Sequence, residues 1–158
     1  MPSLFRLAGF VLLVSDVERS KEFYRDFLGQ EIAMDLGINV GFASGLALWQ
    51  DDYARNVIFG APVESRKGND VEVYFETEDI DGAWDAVRDR RAADVIHELR
   101  EQPWCQRGFR IYDPDRFIVE IAEPMDAVVR RLHKAGLSEE EITKKTTLPV
   151  EIVRLMLA

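Results

Sequence analysis

The sequence predicts an α+β fold: two βαβββ modules followed by a short helical extension. Three observations carry this. The stretches GFVLLVSDVERSKEFYRDFLG (Gly9–Gly29) and EVYFETEDIDGAWDAVRDRRA (Glu72–Ala92) share one order, an extended apolar segment, an Asp, then an amphipathic helix. Each is followed by three short strand-like runs. The remaining residues, 124–158, lack a period-two pattern and read as helices.

In each repeat the Asp precedes the helix, Asp16 in the first and Asp79 in the second, where a carboxylate accepts from the free N–H groups of the first turn. The first helix carries an apolar stripe of Val17, Phe23, Tyr24, Phe27 and Leu28, and the second one of Ile80, Ala83, Trp84 and Val87. The strand runs are EIAMDL, NVGFA and LALWQ in the first half, and DVIHELR, GFRIYD and FIVEIA in the second. Gly37, Ser44-Gly45 and Asp113-Pro114-Asp115 punctuate them as turns, and GAPVESRKGND links the halves. In the extension, Gly136 ends one helix, Ser138 with Glu141 forms a capping box for the next, and Pro149 suits the start of a third.

Composition bounds the class. The chain of 158 residues is 47% hydrophobic and 31% charged, which suits a globular domain with an appendage. A formal net charge of −9 works against general binding to nucleic acid. The one cysteine, Cys105, cannot form an internal disulfide, so a reducing, cytoplasmic setting is expected. The run LFRLAGFVLLV leads directly into SDVERSKEF without a small-residue cleavage site and is too short to span a bilayer; it reads as a buried strand.

The paired modules resemble the vicinal oxygen chelate superfamily, which contains glyoxalase I, bleomycin-resistance proteins, fosfomycin-resistance enzymes and extradiol dioxygenases. The resemblance rests on Asp16, Ser20, Phe23 and Tyr24 in VSDVERSKEFYRDFLG, and on YDPDRFIVEIAEP. It covers residues 5–123, with module one at 5–61, module two at 69–123 and a helical tail at 124–158 resembling a helix-turn-helix. It implies curved mixed sheets around a cleft between the modules, a small-molecule ligand and a homodimer. Metal-dependent members draw ligands from the first and last strand of each module. Counting back from the pre-helix Asp, those positions carry over to Gly9 and Glu72 on the first strands. On the last strands they carry over to Glu120 and to a residue near Trp49 or Gln50. Glu72 and Glu120 would then face each other across the cleft. Gly9 has no ligating atom, and both histidines, His97 and His133, fall elsewhere.

Two carboxylates suit a hard divalent cation, or a shared proton with general acid and base roles; an inherited acidic cleft without metal is the alternative, and the missing first ligand favours it. Trp49, Trp104, Tyr74, Arg110 and His97 are the candidate ligand contacts, although aromatic residues on strands are more often packing and a lone histidine is more often structural. Cys105 has no evident base beside it. The tail's last helix has only Arg154 as a strong base, with Glu151 near it, so a packing or dimerisation element is expected over a DNA reader. Three functions follow in order: small-molecule binding in the cleft, a metal-dependent lyase or isomerase using Glu72 and Glu120, and a ligand sensor acting through the tail.

Overall fold

The computed structural model describes residues 9–58, 71–90 and 93–158. The linker expected over 60–70 and the start of module one at residue 5 lie outside the described residues. The repeat is present as two four-stranded mixed sheets of identical topology. The first contains β1 (Phe10–Val14), β2 (Ile32–Asp35), β3 (Asn39–Phe42) and β4 (Leu46–Gln50) in the order β1-β4-β3-β2. The second contains β5 (Glu72–Glu76), β6 (Val95–Glu101), β7 (Arg107–Tyr112) and β8 (Ile118–Ala122) in the order β5-β8-β7-β6. In each, the first and last strands pair in parallel and the others antiparallel. Parallel neighbours need a long crossover, which the helix and two strands between them supply.

The helices are α1 (Val17–Glu22), α2 (Asp51–Tyr53), α3 (Ile80–Arg90), α4 (Met125–Lys134), α5 (Glu139–Thr146) and α6 (Val150–Leu157). Both pre-helix aspartates act as caps: Asp16 accepts from the Arg19 N–H at 3.1 Å and Asp79 from the Gly82 N–H at 2.9 Å. The first helix is not regular to its end, as its stripe suggests. After Glu22 it widens into a π-helical stretch, Phe23–Phe27, closed by the Leu28 N–H on the Phe23 carbonyl at 3.2 Å. The wider turn lets Phe23 and Tyr24, adjacent in sequence, both bury. Their rings meet edge to face at 5.3 Å, and Phe23 also lies 5.3 Å from Phe27.

The chain divides into two compact units. The first holds β1–β4 together with Asp113–Asp115 of the Asp-Pro-Asp turn. Its core is Leu12, Val14, Val17, Tyr24, Val40, Phe42 and Leu48. Asp115 accepts from Ser15 through backbone N–H (2.9 Å) and hydroxyl, and from the Ser20 hydroxyl at 3.0 Å, with Arg19 at 3.4 Å. Burial pushes its pKa up, but these donors outweigh burial and hold it below the ordinary carboxylate value. The Tyr24 hydroxyl donates to Asp113 at 3.0 Å, and burial with that carboxylate keeps the phenol neutral by raising its pKa.

The second unit holds β5–β8 and all three C-terminal helices. Strand alternation sends Phe109, Ile111, Val119 and Ile121 to one face, under Ile80 and Val87 of α3, with Trp84 5.2 Å from Phe109. The tail is a packing element. Val128, Val129, Leu132, Ile142 and Val153 bury one another against Cys105, with Leu148 and Met125 at the margin. Each such side chain contributes roughly 1.5–3 kcal/mol. Gly136 adopts φ +93 after α4, and the Ser138–Glu141 capping box is present. Pro149 sits one position earlier than expected, as the flanking N-cap of α6. Arg154 pairs with Glu139 at 2.7 Å, within the tail. Among the described residues no helix is long and apolar enough to cross a membrane.

Tyr24→Phe keeps the ring packing and removes one partner from the buried Asp113 carboxylate. Urea unfolding should show a loss of about 1.5–3 kcal/mol, the range for a hydrogen bond to a charged group. A loss below a few tenths would mean Asp113 does not depend on this donor.

Candidate functional site

On the second sheet, the face opposite α3 is polar by the same alternation. Glu72, Tyr74 and Glu76 of β5 share it with Ile118, Glu120 and Ala122 of β8, and with Gly108, Arg110 and Tyr112 of β7. The register sets Tyr74 and Arg110 on either side of Glu120, with Glu72 diagonal to it. Glu72 and Glu120 therefore lie on adjacent strands of one sheet and do not face each other across a cleft. The parallel pairing of first and last strands produces this.

Arg110 is the partner of both acids. Its Nε lies 2.9 Å from Glu72 and its Nη2 lies 2.8 Å from Glu120. The Glu120 side chain is 9% exposed and that of Glu72 is 40% exposed, so the two respond differently. The Arg110 hydrogen bond holds Glu72 below the ordinary carboxylate pKa. Burial, reinforced by the hydrogen bond to Glu72, pushes Glu120 up. His97 stands behind this group. Its Nδ1 donates to the Glu98 carbonyl at 2.9 Å, a tautomer that leaves Nε2 to accept from Arg110 at 3.3 Å. Alternation alone would put Val95 on the same face as His97. A bulge in β6 intervenes, so Val95 registers with Ile111 and His97 with Arg110, on opposite faces.

These side chains floor an open pocket of about 460 Å³, a volume that suits a small molecule. Trp104 and Gln106, from the turn between β6 and β7, form one wall; Met125, Thr146, Thr147 and Leu148, from the tail, form another. Gln106 ties the first wall down. It accepts from the Trp104 indole at 2.8 Å and donates to the Tyr74 hydroxyl at 3.0 Å and the Glu123 carbonyl at 2.7 Å. Tyr74 in turn donates to Glu76 at 2.9 Å; burial and that carboxylate push its phenol up to about 12. Arg131 of α4 fixes the second wall, donating to the Cys105 carbonyl at 2.6 Å and to Glu123 at 2.9 Å. Cys105 itself is buried at φ +67, so its thiol packs with the tail.

Of the residues singled out from sequence, Glu72, Glu120, Tyr74, Trp104 and Arg110 come together here. His97 supports Arg110 and does not line the pocket. Trp49 lies in the first unit, stacked on Tyr53 at 5.9 Å, and Phe109 is core. Gln106 was missed, although continuing the strand alternation back from Arg110 and Gly108 puts it on this face. The tail residues have no sequence signal, because only folding brings them to the sheet.

The donor set does not fit a divalent metal. Val11 registers with Ala47 as Tyr74 does with Glu120, so Gly9 and Ala47 are the first module's counterparts of Glu72 and Glu120. That replaces the expected Trp49 or Gln50, and Gln50 is committed to the start of α1, accepting from the Val17 N–H at 3.2 Å and donating to the Ser15 carbonyl at 2.7 Å. Neither Gly9 nor Ala47 can ligate. A Cβ built on Gly9 would come within 2.3 Å of the Gly45 carbonyl oxygen. Among the described residues no group of three His, Cys, Asp or Glu side chains is arranged to hold a metal ion. The positive charge between Glu72 and Glu120 comes from Arg110.

Comparison with known proteins agrees with the fold. A glyoxalase-like domain profile matches residues 7–126. A protein of unknown function from Agrobacterium tumefaciens is 33% identical, with a TM-score of 0.67 over 77% of this chain and 96% of its own. A glyoxalase/bleomycin resistance protein/dioxygenase from Nocardioides is 25% identical, with a TM-score of 0.63 over 78% of this chain and 85% of its own. A lactoylglutathione lyase from Agrobacterium tumefaciens shares the fold at 22% identity, with a TM-score of 0.60 over 78% of this chain and 96% of its own. No curated protein matches the chain. The chain belongs to the glyoxalase-like domain family, within the vicinal oxygen chelate superfamily.

Arg110→Met should destabilise the protein by about 1–3 kcal/mol at neutral pH, less than for a fully buried cluster because Glu72 is well solvated. The two shifts are opposite in sign, but losing Arg110 acts on both acids in the same direction. Glu72, lowered by Arg110, contributes stability above its unfolded pKa, and that contribution goes with the arginine. Glu120, raised in the folded state, loses stability as pH rises through its folded pKa, and more so without Arg110. Unfolding titrations of wild type and variant should therefore converge as pH falls through the lowered folded pKa of Glu72 and separate as pH rises through the raised folded pKa of Glu120. Parallel curves would show that the arginine does not set these carboxylates.

Proposed function

We propose that the second module binds a small organic cation with a flat apolar body on its polar sheet face. The observation that carries this is the charge count at the pocket floor. Two carboxylates share one guanidinium, so the ionised site keeps a surplus negative charge that a ligand cation offsets. Trp104 and Tyr74 supply aromatic surface for the ligand body, and a cation beside such rings gains further. The chain's net charge of −9 favours cation approach. Benzamidinium, neutral benzamide and benzoate, titrated by calorimetry, test the reading. The cation should bind at least about ten-fold more tightly than the neutral compound, and Glu120→Gln should remove that preference. Tighter binding of benzoate, or no cation preference, overturns it. Elemental mass spectrometry after exposure to Mn2+, Ni2+, Zn2+ and Mg2+ should find no stoichiometric metal that Glu72→Ala and Glu120→Ala remove.

A second reading, proton transfer, is favoured by two carboxyls gathered on one guanidinium with opposite pKa displacements. It requires a bound ligand with an activated C–H. Deuterium uptake from D2O into such a ligand, present in wild type and absent in Glu120→Gln, would support it. The family reading also carries a homodimer, which sedimentation tests.

A further inference from the structure

We propose that the turn joining α5 and α6, Thr146-Thr147-Leu148, is the specificity-determining wall of the pocket and sets the size of the flat cation it admits. This rests on the binding reading above and adds to it a segment outside the matched family region, which ends at residue 126. The wall is not part of the sheet face that the superfamily resemblance points to; it is brought there by three helices that follow the second module.

Three features make it a wall. It is anchored. Cys105, from the turn that also carries Trp104, is buried among Val128, Val129, Ile142 and Val153, so one apolar cluster holds both sides of the pocket. It is internally braced. The Thr146 hydroxyl donates to the Ile142 carbonyl at 2.8 Å and accepts from the Leu148 N–H at 3.3 Å, while the Thr147 N–H caps the Thr143 carbonyl at 2.9 Å. It is also strained where it lines the pocket. Thr147 ends α5 at φ 62 and ψ 8, the left-handed position that glycine ordinarily takes. A β-branched residue there is a conformational outlier, since its Cβ crowds the following carbonyl. Glycine would satisfy the helix end without strain. The threonine instead adds a side chain, its hydroxyl donating to the Thr146 carbonyl at 2.6 Å, and Thr147 and Leu148 both line the pocket with Trp104 and Glu120. A ligand whose charge sits at Glu120 and whose ring lies along Trp104 meets these side chains at its far edge.

The test compares two flat cations, benzamidinium and the larger 2-naphthamidinium, by calorimetry on the full chain. The measured quantity is the ratio of their dissociation constants in wild type, Leu148→Ala, Thr147→Gly and Glu120→Gln. Enlarging the pocket with Leu148→Ala should move the ratio by at least about five-fold towards the larger cation, an effect of the size expected for removed methylenes in a binding pocket. Thr147→Gly should move it in the same direction while leaving the urea midpoint unchanged or raised, a pairing that a merely structural role would not give. Ratios within about two-fold of wild type in both variants, with cation affinity still weakened in Glu120→Gln, overturn the wall and leave the binding reading standing. Binding of neither cation by wild type overturns both. A ratio that responds to Leu148→Ala and Thr147→Gly, with affinity unaffected in Glu120→Gln, supports the wall and overturns the role of charge.

Discussion

The parallel ladder between β5 and β8 is the constraint on which the site depends. It is a long-range pairing, with α3, β6 and β7 as the crossover between its strands, and it sets Tyr74 beside Glu120 and Glu72 diagonal to it. Since side chains alternate along a strand, slipping β8 by one residue would send Glu120 into the layer under α3 and bring Val119 or Ile121 to the polar face. The apolar residues that bury against α3 therefore hold the carboxylates in register. Val119 and Ile121, which flank Glu120, are structural reasons for its position as much as its own chemistry is.

Within that frame Arg110 decides what the acids can do. A glutamate as enclosed as Glu120 needs a nearby positive charge to stay ionised, and in this chain a side chain from the neighbouring strand provides it. The guanidinium is in turn held by His97 and shared with Glu72, so it is oriented from two sides. The two modules have the same topology but not the same chemistry. The equivalent strand positions in the first module are a glycine and an alanine, and its polar groups go to fastening Ser15, Ser20 and Tyr24 onto the Asp-Pro-Asp turn. The first module fastens the Asp-Pro-Asp turn, and the second carries the pocket.

Much of this was legible in the sequence because it is local. Strand alternation, the caps at Asp16 and Asp79, the capping box at Ser138 and the repeat itself are readable over a few residues, and the structure contains all of them. Glu72 and Glu120 were also legible, as acids in otherwise apolar strands, but their relation was not. Placing them on opposite walls required knowing which strands pair. The β6 bulge escaped because no turn residue marks it in VIHELRE, and only pairing with β7 shows the slip. The widened turn after Glu22 escaped for a related reason: a period of 3.6 residues describes an ideal helix, whereas burying two consecutive aromatics requires a looser one. The tail's contribution to the pocket was invisible, since Leu148 and Trp104 are distant in sequence and neither carries chemistry that points to the other.

The close approach of Gly9 to Gly45 has a consequence for mutational history. A protein that loses a ligand by substitution can often regain it by reversal at the same position. Here a histidine or glutamate at position 9 would meet a backbone carbonyl rather than a movable side chain, and Gly45 itself sits at φ +91 in a tight turn. Restoring the side chain would first require rebuilding the turn between β3 and β4, a change with no benefit by itself. A liganding side chain at position 9 therefore calls for a reshaped turn as well as a substitution, so one change at that position does not make the first module a metal-binding strand.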